Sequence, residues 1–196
     1  MPNAPTCVLI TLDYPPERGG VARYLGNLVT AANGGIETVY VPDEHECAGP
    51  GKVEPLSFFW PGMPRWAPLI RFFAERGRTS PHMPVLLSHV LPVGTAAWLA
   101  SFVEGAPYQV LLHGLDFRLA SQNPRKRWLL KRILRRARTV FTNSAHLAEE
   151  VRAFDNALNP IAITPGVESQ TFPERDASRR RFQVPAQVTQ LIAVTR

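Results

Sequence analysis

Short apolar runs alternate with longer helical patterns along the chain, and this alternation constrains the fold more than any other feature. Most of the runs are almost continuously apolar, which is typical of parallel strands that are buried on both faces. We therefore predict an α/β fold with one parallel sheet and helices on both of its faces. The predicted strands are CVLITL, ETVYV, KVEPLSF, VLLSHV, YQVLLHG, TVFTNS and PIAITPG, and the predicted helices are 20–32, 66–78, 93–103, 125–138 and 145–154.

The character of the sequence changes near its end. Residues 171–187 are polar, basic and interrupted by proline, as expected of a linker. Residues 188–196 have the pattern of a new strand, but a lone parallel strand needs a partner reached through a crossover of about a dozen residues. We expect residues 1–170 to form an N-terminal domain, 171–187 a linker, and 188–196 the first strand of a truncated C-terminal domain.

The positive charge of the chain is concentrated in one predicted helix. The formal net charge is +6, and residues 125–138 carry eight Lys or Arg and no acid, so the remaining residues are slightly acidic. In a helix, one face of this segment is apolar and the other is cationic, with Trp128 on the cationic side. Such a face suits contact with an anionic membrane surface, while a solvated helix whose tryptophan packs on a neighbour remains an alternative. The predicted membrane-contact residues are Trp128, Lys131, Arg132, Arg135 and Arg136.

Several other classes of protein and site are disfavoured. Residues 79–103 lack Asp, Glu, Lys and Arg, but their prolines, histidines and glycine argue against a transmembrane helix. The N-terminus has no basic leader, and the two cysteines show no ligand spacing, so we expect a reduced, cytosolic compartment. The acidic stretch Asp43–Cys47 is interpreted as a solvated loop, since consecutive residues cannot all converge on one ion. No metal site is predicted.

The stretch TLDYPPERGG follows the first predicted strand and opens the first predicted helix. Pro15 and Pro16 end the strand because proline cannot donate to the sheet. Gly19 and Gly20 allow a tight turn, and the free N–H groups of the following helix suit an anion such as phosphate. The pattern is neither a P-loop nor the three-glycine dinucleotide motif, and by residues alone a plain turn remains an equal alternative.

Five segments together resemble the family-four retaining glycosyltransferases of the GT-B fold, which include phosphatidylinositol mannosyltransferases and other cell-envelope sugar transferases. In order, the segments are TLDYPPERGGVARYLGNL, LLSHVLPVG, LLHGLDF, FTNSAHLAEEV with ITPGVE, and LIAVTR. The resemblance implies that the sheet is Rossmann-like and forms the N-terminal, acceptor-side half of a GT-B fold. The turn at 164–168 lacks the family's usual asparagine.

The resemblance also implies an activity and a donor site. The complete enzyme would transfer a sugar from a nucleotide-sugar donor to an acceptor hydroxyl with retention and without a metal or other cofactor. Gly19 and Gly20 would hold the donor diphosphate together with Arg196, and His113 would contact the donor sugar beside the reacting carbon. The donor-binding lysine and two glutamates of the family lie in its C-terminal domain, so the chain by itself is expected to be inactive.

The acceptor side is assigned to residues near the same strand ends. Asp13, Tyr14 and Arg118 are candidates to face a lipid-linked or saccharide acceptor, although ordinary surface pairing explains each of them equally well. His89 is expected to line the cleft, and Asp116 matches the family's acidic position without an assigned role. The enzyme would work in the cytoplasm, peripherally on the inner face of the cell membrane.

Two rival functions stay open on sequence grounds. One is a basic module that binds a membrane or nucleic acid without catalysis, although nucleic acid is disfavoured because the cations lie in one helix with few aromatic side chains to stack on bases. The other is a sugar-nucleotide epimerase of the GT-B fold, which would differ mainly in the half of the protein beyond Arg196.

Overall fold

A computed structural model describes residues 7–166, which form seven strands and six helices. The strands are β1 (Cys7–Ile10), β2 (Ile36–Pro42), β3 (Val53–Leu56), β4 (Val85–Leu87), β5 (Tyr108–Leu112), β6 (Val140–Thr142) and β7 (Ile161–Ala162). The helices are α1 (Gly20–Ala31), α2 (Ala67–Thr79), α3 (Val93–Ala100), α4 (Gly114–Gln122), α5 (Pro124–Arg136) and α6 (Ala145–Phe154).

All seven strands form one parallel sheet in the order β3-β2-β1-β4-β5-β6-β7. The central strand β1 pairs on both sides, and its Leu9 lies opposite Val39 of β2 and Leu86 of β4. After β3 the chain returns past β1, so the direction of winding reverses between β1 and β4. In open parallel sheets, a crevice that binds ligands lies at such a reversal, outside the carboxyl ends of the strands.

Helices cover both faces of the sheet, as the sequence predicted. On one face, Leu25 and Val29 of α1 pack with Leu9, Val39 and Val41. On the other face, helices α2 to α6 contribute to a larger cluster around alternate residues of the same strands. The apolar runs are therefore buried from both sides, which confirms the α/β fold predicted from them. The sheet is also Rossmann-like, as the family resemblance implied.

The segment after β5 differs from its prediction, because it contains two helices where the sequence analysis recognised one. Helix α4 begins at Gly114, directly after the strand, and ends at Gln122. Asn123 then caps α5: its Oδ1 accepts hydrogen bonds from the N–H groups of Arg125 and Lys126, at 3.0 and 3.2 Å. Pro124 occupies the first position of α5, where its missing N–H costs nothing. The pair Asn123-Pro124 is the sequence signal for the boundary between the two helices.

Several predicted features lie outside the described residues. They are the linker at 171–187, the strand at 188–196 and the donor-side cation Arg196.

Candidate active site

The carboxyl ends of the three central strands bring four predicted site residues together. Asp13 follows β1, His89 follows β4, and His113 directly follows β5. Asp116 lies in the first turn of α4 and joins them. Because β1, β4 and β5 are adjacent in the sheet, these side chains meet at the reversal of winding.

His89 contacts both carboxylates of this group. Its Nε2 lies 3.2 Å from Oδ2 of Asp13 and 3.9 Å from Oδ2 of Asp116, so only the first is a hydrogen bond. The hydrogen bond from His89 lowers the pKa of Asp13 despite partial burial, whereas burial raises the pKa of Asp116. The two carboxyl groups therefore differ, and Asp13 is the one more strongly held in its ionised form.

His113 is almost completely buried, with 5% of its surface exposed. Its ring lies edge-on to Tyr24 of α1, with centroids 5.9 Å apart, and 6.2 Å from the ring of His89. Burial, with a smaller contribution from His89, lowers the pKa of His113 to about 4, so the imidazole is neutral at pH 7. Its Nε2 is buried and has no hydrogen-bond partner among the described residues. Since buried polar atoms are normally paired, this nitrogen is suited to a ligand.

Two helix N-termini open at the same edge of the sheet. Gly19 precedes α1 and His113 precedes α4, and neither residue caps its helix with a side chain. Gly19 and Gly20 are exposed, and a Cβ on Gly19 would meet no atom within 4 Å. The start of α1 is therefore open to solvent at these two glycines, and helix N-termini of this kind bind phosphate in other proteins.

The structure places Tyr14 outside this group, although it was predicted to face an acceptor. Its ring is fully buried, and its hydroxyl donates to the carbonyl oxygen of Pro50 at 2.6 Å. Burial raises its pKa to about 12. The phenol therefore joins the loop after β1 to the loop after β2 and is not available to a ligand.

Arg118 lies at the rim of the site and is already paired. Its Nε and Nη2 donate to both carboxylate oxygens of Glu150 on α6, at 3.1 and 2.8 Å. Its guanidinium is also the nearest group to Gly114, at 3.9 Å from the position of an added Cβ. Binding of an acceptor phosphate would therefore compete with Glu150.

Some cations of α5 form ion pairs, whereas other side chains on the same face remain exposed to solvent. Arg135 donates to both carboxylate oxygens of Asp155, at 2.6 and 3.0 Å, and Lys131 Nζ lies 3.6 Å from the same carboxylate. Trp128 packs edge-on against Trp98 of α3, with centroids 6.0 Å apart, yet keeps 55% of its surface exposed. The indole therefore does pack on a neighbour, which was the alternative to membrane contact, but it is not covered.

An exposed aromatic–cationic patch surrounds Trp128. We use this name for Phe102, Val103, Trp128, Arg132 and Arg136. Phe102 and Val103 are 65% and 56% exposed, Arg132 lies 5.2 Å from the Trp128 ring, and Arg136 lies 6.0 Å from the Phe102 ring. Phe102 and Arg136 lie where α3 and α5 end, near the amino ends of the strands. The patch is thus displaced from the histidines, which lie at the carboxyl ends.

A second group of exposed apolar side chains was missed by sequence reasoning. Phe59, Trp60 and Met63 follow β3 and are 37%, 49% and 85% exposed. The loop is ordered by Trp60, whose indole N–H donates to the carbonyl oxygen of Pro64 at 2.9 Å. The sequence FFWPGMPRW carried this signal, and the loop lies at the same edge of the sheet as the histidines.

Within residues 7–166, His, Cys, Asp and Glu form no group of three or more that could hold a metal ion, the stretch Asp43–Cys47 included. None of the helices there has both the length and the apolar character needed to cross a membrane.

Comparisons with known proteins identify the family of the chain and support its fold. The family model for a glycosyl transferase 4-like domain matches residues 8–166. Among solved structures, the Anabaena protein HepE in complex with UDP and glucose has a TM-score of 0.60 at 19% identity, covering 91% of this chain and 50% of that one. HepE with UDP-glucose gives a TM-score of 0.61, 17% identity and coverages of 90% and 49%. HepE with UDP gives a TM-score of 0.61 at 20% identity, covering 91% of this chain and 50% of that one. The chain thus spans about half the length of these proteins, and no curated protein matches it.

Proposed function

Because the chain belongs to the family of glycosyl transferase 4-like domains, we propose that it is the acceptor-side half of a GT-B enzyme that transfers a sugar from a nucleotide-sugar donor to an acceptor hydroxyl. The observation that carries the proposal is the buried Nε2 of His113, which has no hydrogen-bond partner among residues 7–166 and lies beside two helix N-termini without a side-chain cap, at the reversal of winding. A neutral imidazole there can form a hydrogen bond with a hydroxyl of the donor sugar. Because it carries no charge, it does not form an ion pair with the diphosphate. The HepE complexes with UDP and UDP-glucose support a nucleotide-sugar donor.

The donor diphosphate would lie against the start of α1. The exposed Gly19 and Gly20 leave backbone N–H groups open to it, and such oriented donors stabilise the charge that develops on a leaving group. Arg196 would supply a cation from the C-terminal half, as the family resemblance implies. Retention of configuration and the absence of a metal cofactor rest on that resemblance alone. So does a role in synthesis of cell-envelope glycolipid or polysaccharide.

The acceptor would approach from the side of Asp13, His89, Asp116 and Arg118. If it is lipid-linked, the domain must meet a membrane, and we propose the aromatic–cationic patch as the surface that does so. Aromatic rings with cations on a partly exposed helix face suit the interface of an anionic bilayer on the cytoplasmic side. Since the patch lies toward the amino ends of the strands, docking there would leave the site at the carboxyl ends free to receive the acceptor.

A turnover assay tests the proposed reaction. A complete protein that joins this chain to its C-terminal half is incubated with a panel of nucleotide sugars, and release of nucleoside diphosphate is measured with and without acceptors. We expect release from at least one donor, and a large loss with His113→Ala at unchanged melting temperature. His82→Ala is the matched control, because His82 is an exposed histidine in the turn before β4, far from these strand ends. Wild-type turnover in His113→Ala would remove His113 from the donor site, and an inactive parent protein would overturn the transferase proposal.

A further inference from the structure

The inference concerns the contact between His89 and Asp13. We propose that Asp13 binds the attacking acceptor hydroxyl and that His89 is the positioning residue that orients Asp13 for this task. The proposal rests on the proposed function, and it assigns to His89 a role that lining the cleft does not require.

Contacts on both sides of the His89 ring hold its orientation. The main-chain N–H of Leu12 donates to Nδ1 at 3.4 Å, and Oγ of Ser88 lies 2.8 Å from the same nitrogen. Nε2 lies on the other side of the ring, 3.2 Å from Oδ2 of Asp13. Because a carboxylate oxygen only accepts, a protonated Nε2 is the donor in this contact.

The main chain of Asp13 is held by the same network. Oγ1 of Thr11 donates to the Asp13 carbonyl oxygen at 2.8 Å and accepts from its N–H at 3.1 Å. Ser88 Oγ joins Thr11 Oγ1 to this arrangement at 2.8 Å. Both the backbone and the side chain of Asp13 are thus constrained, over contacts that link β1 to β4.

The burial of the two partners divides their roles. His89 is 8% exposed, so it can act on a ligand mainly through another residue. The Asp13 side chain is 47% exposed and points its carboxylate toward the open edge of the sheet, next to His89 and His113. An ionised carboxylate of this kind accepts a hydrogen bond from a hydroxyl group. The hydrogen bond fixes the direction in which the lone pairs of the hydroxyl oxygen point. The hydroxyl of the acceptor is the group that needs such orientation.

Two substitutions of His89 separate its two contacts. The amide of Gln reaches the position of Nε2, so His89→Gln keeps a donor to Asp13 but loses the contact with Leu12. The amide of Asn reaches the position of Nδ1, so His89→Asn keeps the contact with Leu12 but loses the donor to Asp13. In the complete protein we expect His89→Gln to retain kcat/KM for the acceptor within a few-fold. We expect His89→Asn to lose about 10- to 100-fold, as for a lost charge-assisted hydrogen bond.

The site of the defect distinguishes this inference from the proposed function. In His89→Asn, release of nucleoside diphosphate without acceptor should fall much less than kcat/KM for the acceptor, because Asp13 is assigned to the acceptor and His113 stays in the donor site. The acid limb of the pH profile for acceptor kcat/KM should move to higher pH, since His89 no longer lowers the pKa of Asp13. His113 and His45 also lower the pKa of Asp13, and His89 lies near Asp116. These three residues are therefore left unchanged in both variants.

A measurement on the 196-residue chain checks the geometry without any activity. Long-range proton–nitrogen NMR of the imidazole should report hydrogen on Nε2 of His89. Equal acceptor kcat/KM in His89→Asn and the parent, or an Nε2 without a proton, would overturn the inference while leaving the transferase proposal intact. Equal losses in His89→Gln and His89→Asn, at unchanged melting temperature, would overturn it as well. Failure of the parent to release nucleoside diphosphate would count against the proposed function, and the NMR result would still decide the contact.

Discussion

Tyr24 packs the edge of its ring against His113, and this contact joins the start of α1 to the end of β5. The ring centroids are 5.9 Å apart and the planes are nearly perpendicular, at 84°. The Tyr24 hydroxyl continues to the segment after β7, where it donates to the carbonyl oxygen of Ile163 at 2.9 Å. One side chain thus contacts the imidazole from the side of the turn that we propose to bind the diphosphate.

Tyr24 should support His113 through its ring and not through its hydroxyl. We expect Tyr24→Phe to lower the free energy of unfolding by about 1 kcal/mol, the net contribution of one hydrogen bond, with turnover near that of the parent. Tyr24→Leu removes the edge-on contact and should reduce turnover in the same assay that tests His113. Chemical denaturation and donor turnover measure the two effects. Loss of turnover in Tyr24→Phe would show that the hydroxyl, not the ring, is needed.

Two glycines in different surroundings should respond oppositely to alanine. Gly77 lies in α2, where alanine usually stabilises, but an added Cβ would stand 1.9 Å from the carbonyl oxygen of Glu104. Gly77→Ala should therefore destabilise the fold by about 3 kcal/mol or more, because the neighbour is backbone. Gly19→Ala is the matched control, since its φ of −156° and ψ of 157° suit any residue.

The melting temperature of Gly19→Ala should stay close to that of the parent, while its affinity for UDP should fall if the diphosphate approaches the backbone closely. Thermal unfolding and a UDP titration of the complete protein measure these effects. A stable Gly77→Ala variant would mean that α2 and the loop after α3 are less tightly packed than described.

The ion pair between Arg135 and Asp155 should make stability depend on acid pH. The hydrogen bond from Arg135 lowers the pKa of Asp155 to about 2, below its usual value. The contribution to stability is therefore fully present above the ordinary pKa of about 4 and is lost as the pH falls toward 2. At pH 7, Asp155→Asn should lower the free energy of unfolding by about 1–3 kcal/mol.

The difference between Asp155→Asn and the parent should shrink between pH 4 and pH 2. Urea unfolding at several pH values measures it, with Glu149→Gln as a control that changes an exposed carboxylate on α6. A difference that stays constant with pH would show that the ion pair contributes nothing to the acid sensitivity of the fold.

Membrane docking by the aromatic–cationic patch is tested by charge reversal. The double variant Arg132→Glu and Arg136→Glu should lose binding to anionic vesicles, since each cation near such a surface contributes about 1 kcal/mol. Binding by the parent should weaken with salt, because screening acts over about 8–10 Å at moderate ionic strength. Co-sedimentation with anionic and neutral vesicles measures both effects.

The control for this experiment reverses two exposed cations of α2, Arg71→Glu and Arg78→Glu, which changes the net charge equally. Loss of binding in the α2 variant alone would place the membrane contact on the side of the loop that holds Trp60. Tighter binding of the parent to DNA or RNA than to vesicles would favour the nucleic-acid alternative.

The sequence predicted the sheet and the edge at which the site lies, because both follow from local patterns. Apolar runs identify buried parallel strands, and the residue after each run, such as His113, must emerge at the carboxyl edge. The pairing of Asp13 with His89 had no local signal, since it depends on which strands are neighbours. The burial of Tyr14 escaped prediction for the same reason: its partner Pro50 comes from the loop after a different strand. Trp128 was correctly placed on the cationic side of its helix, but its contact with Trp98 depends on how α3 and α5 pack.

The separation of Asp13 and His89 along the chain has a consequence for how the protein acquires activity. The two residues are 76 positions apart, yet their hydrogen bond lies at the centre of the site. No contiguous fragment that stops before β4 can contain it, and contacts of such long range form only once the central strands have paired. The contact would therefore appear late in folding. In the complete protein, the proposed nucleotide-sugar donor, added during refolding, would report the completed chain topology and not the helices that form earlier.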